Sequence, residues 1–187
     1  EAVDQAADEI SRLDQLLSTG NEDSEIYKIN QSGDGILSEE TAYLVERSLD
    51  LYEATDGAFD IAIYPVMKAW GFTDDNFRVP DADELKDLLT LTDASDISYD
   101  KETSQIAFKK DGMQIDFGGI AKGYTSARIM DIFRACGIKS GLVNLGGNVQ
   151  ALGTKKDGSS WRVAVQDPQD TDQYLGVLSI QDKAVIT

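Results

Sequence analysis

The sequence has no histidine, one cysteine and three prolines among 187 residues, and its 17 lysines and arginines are outnumbered two to one by 34 aspartates and glutamates. Each shortage closes a door. Without histidine, this chain cannot assemble a Ser-His or Cys-His triad. A lone Cys136 excludes an internal disulfide framework and a multi-cysteine metal site. The formal net charge of −17 and a pI near 4.2 set the mean field against duplex nucleic acid and anionic membrane surfaces, so no nucleic-acid partner is expected. A phosphate-bearing ligand would have to be held by local devices. No apolar run approaches the roughly 20 residues of a membrane-crossing helix. What remains, 41% apolar and 27% charged residues with sixteen glycines, is the composition of a folded globular chain. Its length suits one domain, since about 150 residues already bury about 68–70% of the unfolded surface.

Periodicity sketches the elements. Val3, Ala6, Ile10, Leu13 and Leu17 recur at three- and four-residue steps and predict a helix over 3–17, ended by the turn formers from Ser18 to Asp23. Ser38, followed by Glu39 and Glu40, has N-cap character and opens a helix that turns Ala42, Val45, Leu49 and Tyr52 inward and stops at Thr55-Asp56-Gly57. An irregular aromatic stretch over 57–72 follows, then a short helix opened by Asp81-Ala82-Asp83-Glu84 at capping-box spacing. Strands are expected at 97–99, 105–108 and 113–115, with Lys109 to Gly112 as a hairpin turn. A longer helix should run from near Gly119 to Gly137, carrying Ile120, Tyr124, Ala127, Met130 and Phe133 on one face. Further strands are expected at 141–144, 161–165, 176–180 and 184–186. Helices early and strands late predict an α+β fold rather than a doubly wound sheet. The first helix starts at once and the last strand is still running at Thr187, so both ends read as cut.

Three stretches could carry chemistry. Asp116-Phe117-Gly118-Gly119-Ile120-Ala121-Lys122-Gly123 leaves a strand, passes two glycines and enters a helix, where unpaired N–H groups and the positive dipole end can hold an anion. Lys122 in the first turn would oppose the helix dipole, which hints at a bound anion, although a plain tight turn with a solvated lysine fits the same spacing. Asn144-Leu145-Gly146-Gly147 supplies a second glycine pair, read first as a bulge or corner and second as a ligand contact able to face the first pair across a cleft. Within Gly57-Ala58-Phe59-Asp60-Ile61, an acid between apolar neighbours must accept hydrogen bonds from buried donors or a ligand, while Trp70 and Phe72 are expected in the core. Ser24 to Asn30 and Trp161 to Pro168 suit ordinary capping and strand-and-turn chemistry.

In this order, the segments Asp23-Ser24-Glu25-Ile26 with Asn30, Gly57-Ala58-Phe59-Asp60 with Trp70-Gly71-Phe72, Asp116 to Gly123, Asn144 to Gly147, and Trp161 with Asp167-Pro168 resemble the ApbE family of FAD:protein FMN transferases. Those are magnesium-dependent enzymes that attach FMN to threonine or serine of other proteins. The resemblance spans nearly the whole chain and implies a single α+β, T-fold-like domain over 1–187, incomplete at the C-terminus. It implies that Ala58, Phe59 and Asp60 contact the flavin, that Asp116 and Lys122 contact FAD, and that the backbone carbonyl of Gly119 faces Mg²⁺. An acceptor flavoprotein's Thr or Ser hydroxyl would attack the FMN-side phosphorus and expel AMP. The family's histidine motif and its aspartate-and-threonine metal cluster find no match before Thr187, so no catalytic residue is assigned and these residues alone are expected to be inactive. Gly20 stands where many members carry an aromatic that stacks on the flavin, which favours one alternative, an FAD pyrophosphatase yielding FMN and AMP; a non-catalytic flavin-binding protein that retains the fold is the other. The resemblance also implies an extracytoplasmic, lipid-anchored bacterial protein.

Overall fold

The computed structural model describes residues 1–186. In chain order the elements are α1 (Ala2–Leu17), α2 (Glu25–Ser32), β1 (Asp34–Ile36), α3 (Glu39–Ala54), α4 (Tyr64–Ala69), α5 (Ala82–Leu89), β2 (Ile97–Asp100), β3 (Gln105–Phe108), α6 (Gly118–Ala135), β4 (Gly141–Leu145), β5 (Asn148–Leu152), β6 (Trp161–Gln166), β7 (Tyr174–Ile180) and β8 (Ala184–Val185). Single 3₁₀ turns stand at Ile61–Ile63 and Ala94–Asp96. The chain gathers into two compact units, Arg12–Ala121 and Glu1–Ser11 with Lys122–Thr187.

In the Arg12–Ala121 unit, β1, β3 and β2 form an antiparallel sheet in that order, and Ile26, Leu44, Val45, Ile61, Ile106, Met113, Ile115 and Phe117 are buried. Several elements here depart from the sequence expectation, β1 and α4 among them, since neither was expected. The segment after Asp23 is a helix, capped by Ser24, whose Oγ accepts the Tyr27 N–H at 2.9 Å and donates to the Ser18 carbonyl. Its brevity hid it, because eight residues with only Ile26, Ile29 and Asn30 buried make too little of a periodic stripe. The hairpin expected around Lys109–Gly112 does not form. β3 turns back on β2 through Lys101–Ser104 and its other edge takes β1, so no edge is left for 113–115. That segment is held instead by a side chain. Buried Asn30 accepts the Ile115 N–H at 2.7 Å and donates Nδ2–H to the Ile115 carbonyl at 2.8 Å, an amide standing in for a neighbouring strand.

Caps also differ in detail. Asp81 accepts the Glu84 N–H at 2.8 Å as expected, but the Glu84 carboxylate pairs with Arg78 instead of closing a capping box. Ser38 makes no side-chain cap; its hydroxyl meets Thr41 Oγ1 at 3.1 Å and its N–H goes to Glu25 Oε1.

In the other unit, β4, β5 and β8 form a three-stranded antiparallel sheet, and β6 with β7 a two-stranded ribbon. Ala6, Ile129, Met130, Phe133, Val143 and Leu152 make one buried cluster, and Val149, Ala151, Val163 and Ile180 a second. Gly146 and Gly147, with φ of 56° and 95°, are the two-residue turn joining β4 to β5, because this hairpin needs two successive left-handed residues. Asn144 Oδ1 fastens the turn by accepting the Gly147 N–H at 3.0 Å. The second glycine pair is therefore a hairpin turn, neither a bulge nor a corner, and it opens a strand, β5, absent from the sequence expectation.

Candidate functional site

The expected site residues Phe59, Asp60, Asp116 and Gly119 all lie in the Arg12–Ala121 unit, on two segments that touch. The Asp116 N–H donates to the Ile61 carbonyl at 2.9 Å, which lays 115–119 alongside 59–62. A methyl on Gly119 would stand 2.8 Å from Phe59 Cε2, so the half-buried ring lies directly against the start of α6. Glycine at 118 has a separate reason. A Cβ there would meet Asp116 Oδ1 at 2.7 Å, and without it the carboxylate folds back to accept the Gly118 N–H at 2.7 Å. Ala58 is exposed beside this pair of segments, and the Phe59 N–H is tied to Thr55 Oγ1 at 3.0 Å.

Asp60 is bound through both oxygens. Oδ1 accepts the Ala62 N–H at 2.7 Å and caps the 3₁₀ turn, while Oδ2 accepts the Ala94 N–H at 3.1 Å. Burial pushes its proton affinity up, the two N–H groups pull it down, and the Asp93 charge adds to the rise, leaving it above the ordinary aspartate range. Asp116 is raised in the same way: burial dominates and the Gly118 N–H opposes it. Two half-buried carboxylates that hold protons unusually well, beside an aromatic ring and an exposed glycine pair, can accept hydrogen bonds from the N–H edge of a ring system laid over Phe59.

Two features of the glycine loop differ from expectation. α6 begins at Gly118, so Lys122 stands in its second turn, exposed, rather than in the first. The Gly118 N–H, a natural anion donor, is already taken by Asp116, so the helix start carries its own carboxylate. Phe72 is not core: it is 58% exposed, stacks with half-buried Trp70 at a centroid distance of 6.2 Å, and lines an open groove of about 320 Å³ with Phe77, Arg78 and Val79. Gly71 makes this turn possible, since a Cβ there would lie 2.0 Å from the Asn76 carbonyl oxygen.

Sequence reasoning missed Tyr52 and Asp93. Tyr52 OH donates to Asp93 Oδ1 at 2.8 Å, and its ring flanks Gly57. Asp93-Ala94-Ser95 carried a readable turn signal, an aspartate two residues before the Ser95 N–H it accepts, but nothing in the sequence ties it to Asp60. Among the described residues no three His, Cys, Asp or Glu side chains converge to hold a metal ion. The Gly119 carbonyl cannot by itself satisfy Mg²⁺, which takes six oxygens, so these residues do not fit a complete magnesium site.

The fold is that of the α+β proteins solved as ApbE: the Thermotoga maritima ApbE protein superposes with a TM-score of 0.92 at 29% identity, over 98% of this chain and 60% of that one. The Pseudomonas stutzeri flavinyl transferase ApbE in its apo form superposes with a TM-score of 0.84 at 28% identity, over 96% and 57%. The ApbE family profile matches residues 1–187, and the chain belongs to that family. Relatives include an FAD:protein FMN transferase of Treponema pallidum (strain Nichols), 32% identical over 95% of this chain and 54% of its own length. Another, of Klebsiella pneumoniae (strain 342), is 30% identical over 95% and 56%. The chain spans about half the length of the curated relatives it matches.

Proposed function

We propose that this chain supplies the flavin-holding part of an enzyme that transfers FMN from FAD to a Thr or Ser hydroxyl of an acceptor protein. One observation carries the reading: segment 59–62 lies against segment 115–119, pressing the Phe59 ring on Gly119 beside two carboxylates of raised proton affinity. The names of the relatives, FAD:protein FMN transferase, supply the substrate. In this reading the isoalloxazine rests on Ala58 and Phe59, Asp60 and Asp116 accept its polar edge or the ribityl chain, and Lys122 offers charge to the pyrophosphate. The acceptor oxygen bonds to the FMN-side phosphorus, the pyrophosphate P–O bond breaks, AMP leaves with the electron pair, and the hydroxyl proton is released. Mg²⁺ belongs to the proposal as the ion that offsets pyrophosphate charge, with Gly119 offering a carbonyl; among the described residues no cluster of three His, Cys, Asp or Glu side chains completes its shell, and no step is assigned to it. An extracytoplasmic, membrane-anchored location in a bacterium is proposed from the family resemblance alone.

The test incubates the protein with FAD, Mg²⁺ and a threonine-bearing acceptor, following FAD binding by fluorescence, AMP by phosphorus NMR, and covalent flavin by in-gel fluorescence. AMP released one-for-one with acceptor-bound FMN is the result expected of a version extended to the length of the relatives, and FAD binding without transfer is the result expected of these 187 residues alone. A second reading, FAD hydrolysis, is favoured by Gly20, which is exposed with no heavy atom within 4 Å of a Cβ built on it and offers no ring for stacking. Free FMN in place of the adduct identifies it.

A further inference from the structure

We propose that Tyr52 and Asp93 are positioning residues for Asp60, holding the turn at Ala94–Asp96 so that the Ala94 N–H fixes the second carboxylate oxygen of Asp60. The inference rests on the reading of Asp60 as a flavin contact. The chain of contacts is continuous and lies within one compact unit. Tyr52, on α3, donates its hydroxyl proton to Asp93 Oδ1 at 2.8 Å. The same oxygen accepts the Ser95 N–H at 2.9 Å and so caps the 3₁₀ turn that begins at Ala94. The first N–H of that turn donates to Asp60 Oδ2 at 3.1 Å.

Asp60 Oδ1 is secured locally, by the N–H of Ala62 two residues on. Its other oxygen depends on a turn 34 residues away, and nothing in the 57–62 segment sets that turn. Only with both oxygens fixed is the plane of the carboxylate defined, and with it the direction of its remaining lone pairs. Tyr52 constrains both ends of the arrangement, because its ring also flanks Gly57, whose φ of 78° starts the 57–60 segment. The surrounding charges support a fixed turn: Lys110 pairs with Asp96 at 2.5 Å, and Lys109 Nζ donates to the Ser95 carbonyl at 2.7 Å.

Three variants separate positioning from general damage. Asp93→Ala removes the cap and the tyrosine's acceptor; Tyr52→Phe removes the donor alone. Asp93→Asn keeps an acceptor for both Tyr52 and Ser95, asparagine being as good a cap as aspartate. The first readout needs no ligand. Hydrogen exchange of the Ala94 amide, by NMR on the folded protein, should quicken at least about fivefold in Asp93→Ala and Tyr52→Phe, the effect of losing a typical hydrogen bond, and stay near parental in Asp93→Asn. The second is FAD affinity at neutral pH, expected to fall about fivefold in the first two and to be restored by Asp93→Asn. Unchanged Ala94 exchange in both Tyr52→Phe and Asp93→Ala, or no rescue by Asp93→Asn, overturns the inference. Should the parent chain fail to bind FAD, or Asp60→Asn leave binding untouched, the flavin reading of Asp60 falls, and the Ala94 amide still decides whether the pair positions that carboxylate.

Discussion

Asp116 shows how a half-buried carboxylate is kept at a cost to the fold. Its folded-state carboxyl takes a proton more readily than the unfolded one, because burial disfavours the charge more than the Gly118 N–H relieves it. The sign follows: the ionised group weakens the fold above its folded-state midpoint, and the penalty fades as pH falls through that midpoint toward the ordinary aspartate value. Asp116→Asn keeps an acceptor for the Gly118 N–H and removes the charge. It should raise Tm by about 2–4 °C at neutral pH, with the gain shrinking as the solution is acidified, while weakening FAD binding. Scanning calorimetry at several pH values, beside an FAD titration, checks both halves. Gly119→Ala makes the complementary case. Alanine favours a helix over glycine by about 1 kcal/mol, but the new methyl would force the Phe59 ring aside from 2.8 Å. Stability should therefore change by less than about 1 kcal/mol in urea melts while FAD affinity falls, and unchanged affinity would remove Phe59 from the flavin site. At this scale the sequence identified Asp60 as an acid needing partners, because a carboxylate between Phe59 and Ile61 cannot be left bare. It could not identify the partners: the Ala94 amide is 34 residues away and carries no side-chain signature.

At the scale of elements, the long periodic helices were legible, and of the short ones only α5 was, through its Asp81 cap. α1 and α6 announce themselves by repeated apolar spacing, whereas α2, β1 and β5 depend on what they pack against. The extended segment at 113–115 marks the boundary most clearly. Its alternation suits a strand, yet its ladder is a single asparagine, and no local pattern signals a partner 85 residues earlier. That dependence is testable. Asn30→Ala leaves the buried Ile115 N–H and carbonyl without their partners, each a loss of about 1–3 kcal/mol. A destabilisation of about 2–4 kcal/mol is expected from urea denaturation, large for one small polar side chain. FAD binding should fall with it even where the protein stays folded, since Ile115 leads directly into Asp116 and the hydrogen bond to Ile61 that aligns the two site segments. A melt like the parent's would show that the clamp is redundant.

Across the whole molecule, the net charge of −17 becomes a statement about ligand binding once FAD is the proposed ligand. FAD carries a dianionic pyrophosphate, and the site adds Asp60 and Asp116 with a helix start already occupied by a carboxylate. The general field therefore opposes binding, and attraction has to come from ring contact, hydrogen bonds, Lys122 and any divalent cation. Added salt screens the opposing field, with a Debye length that shrinks from about 30 Å at 0.01 M to about 8 Å at 0.15 M. Contacts made within hydrogen-bond distance are screened far less. FAD should accordingly bind more tightly, by about threefold, when ionic strength rises over that range with a monovalent salt at constant pH, the reverse of a site built on surface lysines. Mg²⁺ at matched ionic strength should strengthen binding further, because an ion seated at the pyrophosphate acts locally where monovalent salt only screens. Calorimetric titrations of FAD in potassium chloride, with and without Mg²⁺, measure both terms. Binding that weakens with salt would mean that Lys122 or another cation outweighs the acidic field. Equal effects of the two salts at equal ionic strength would remove the divalent ion from FAD binding by this chain.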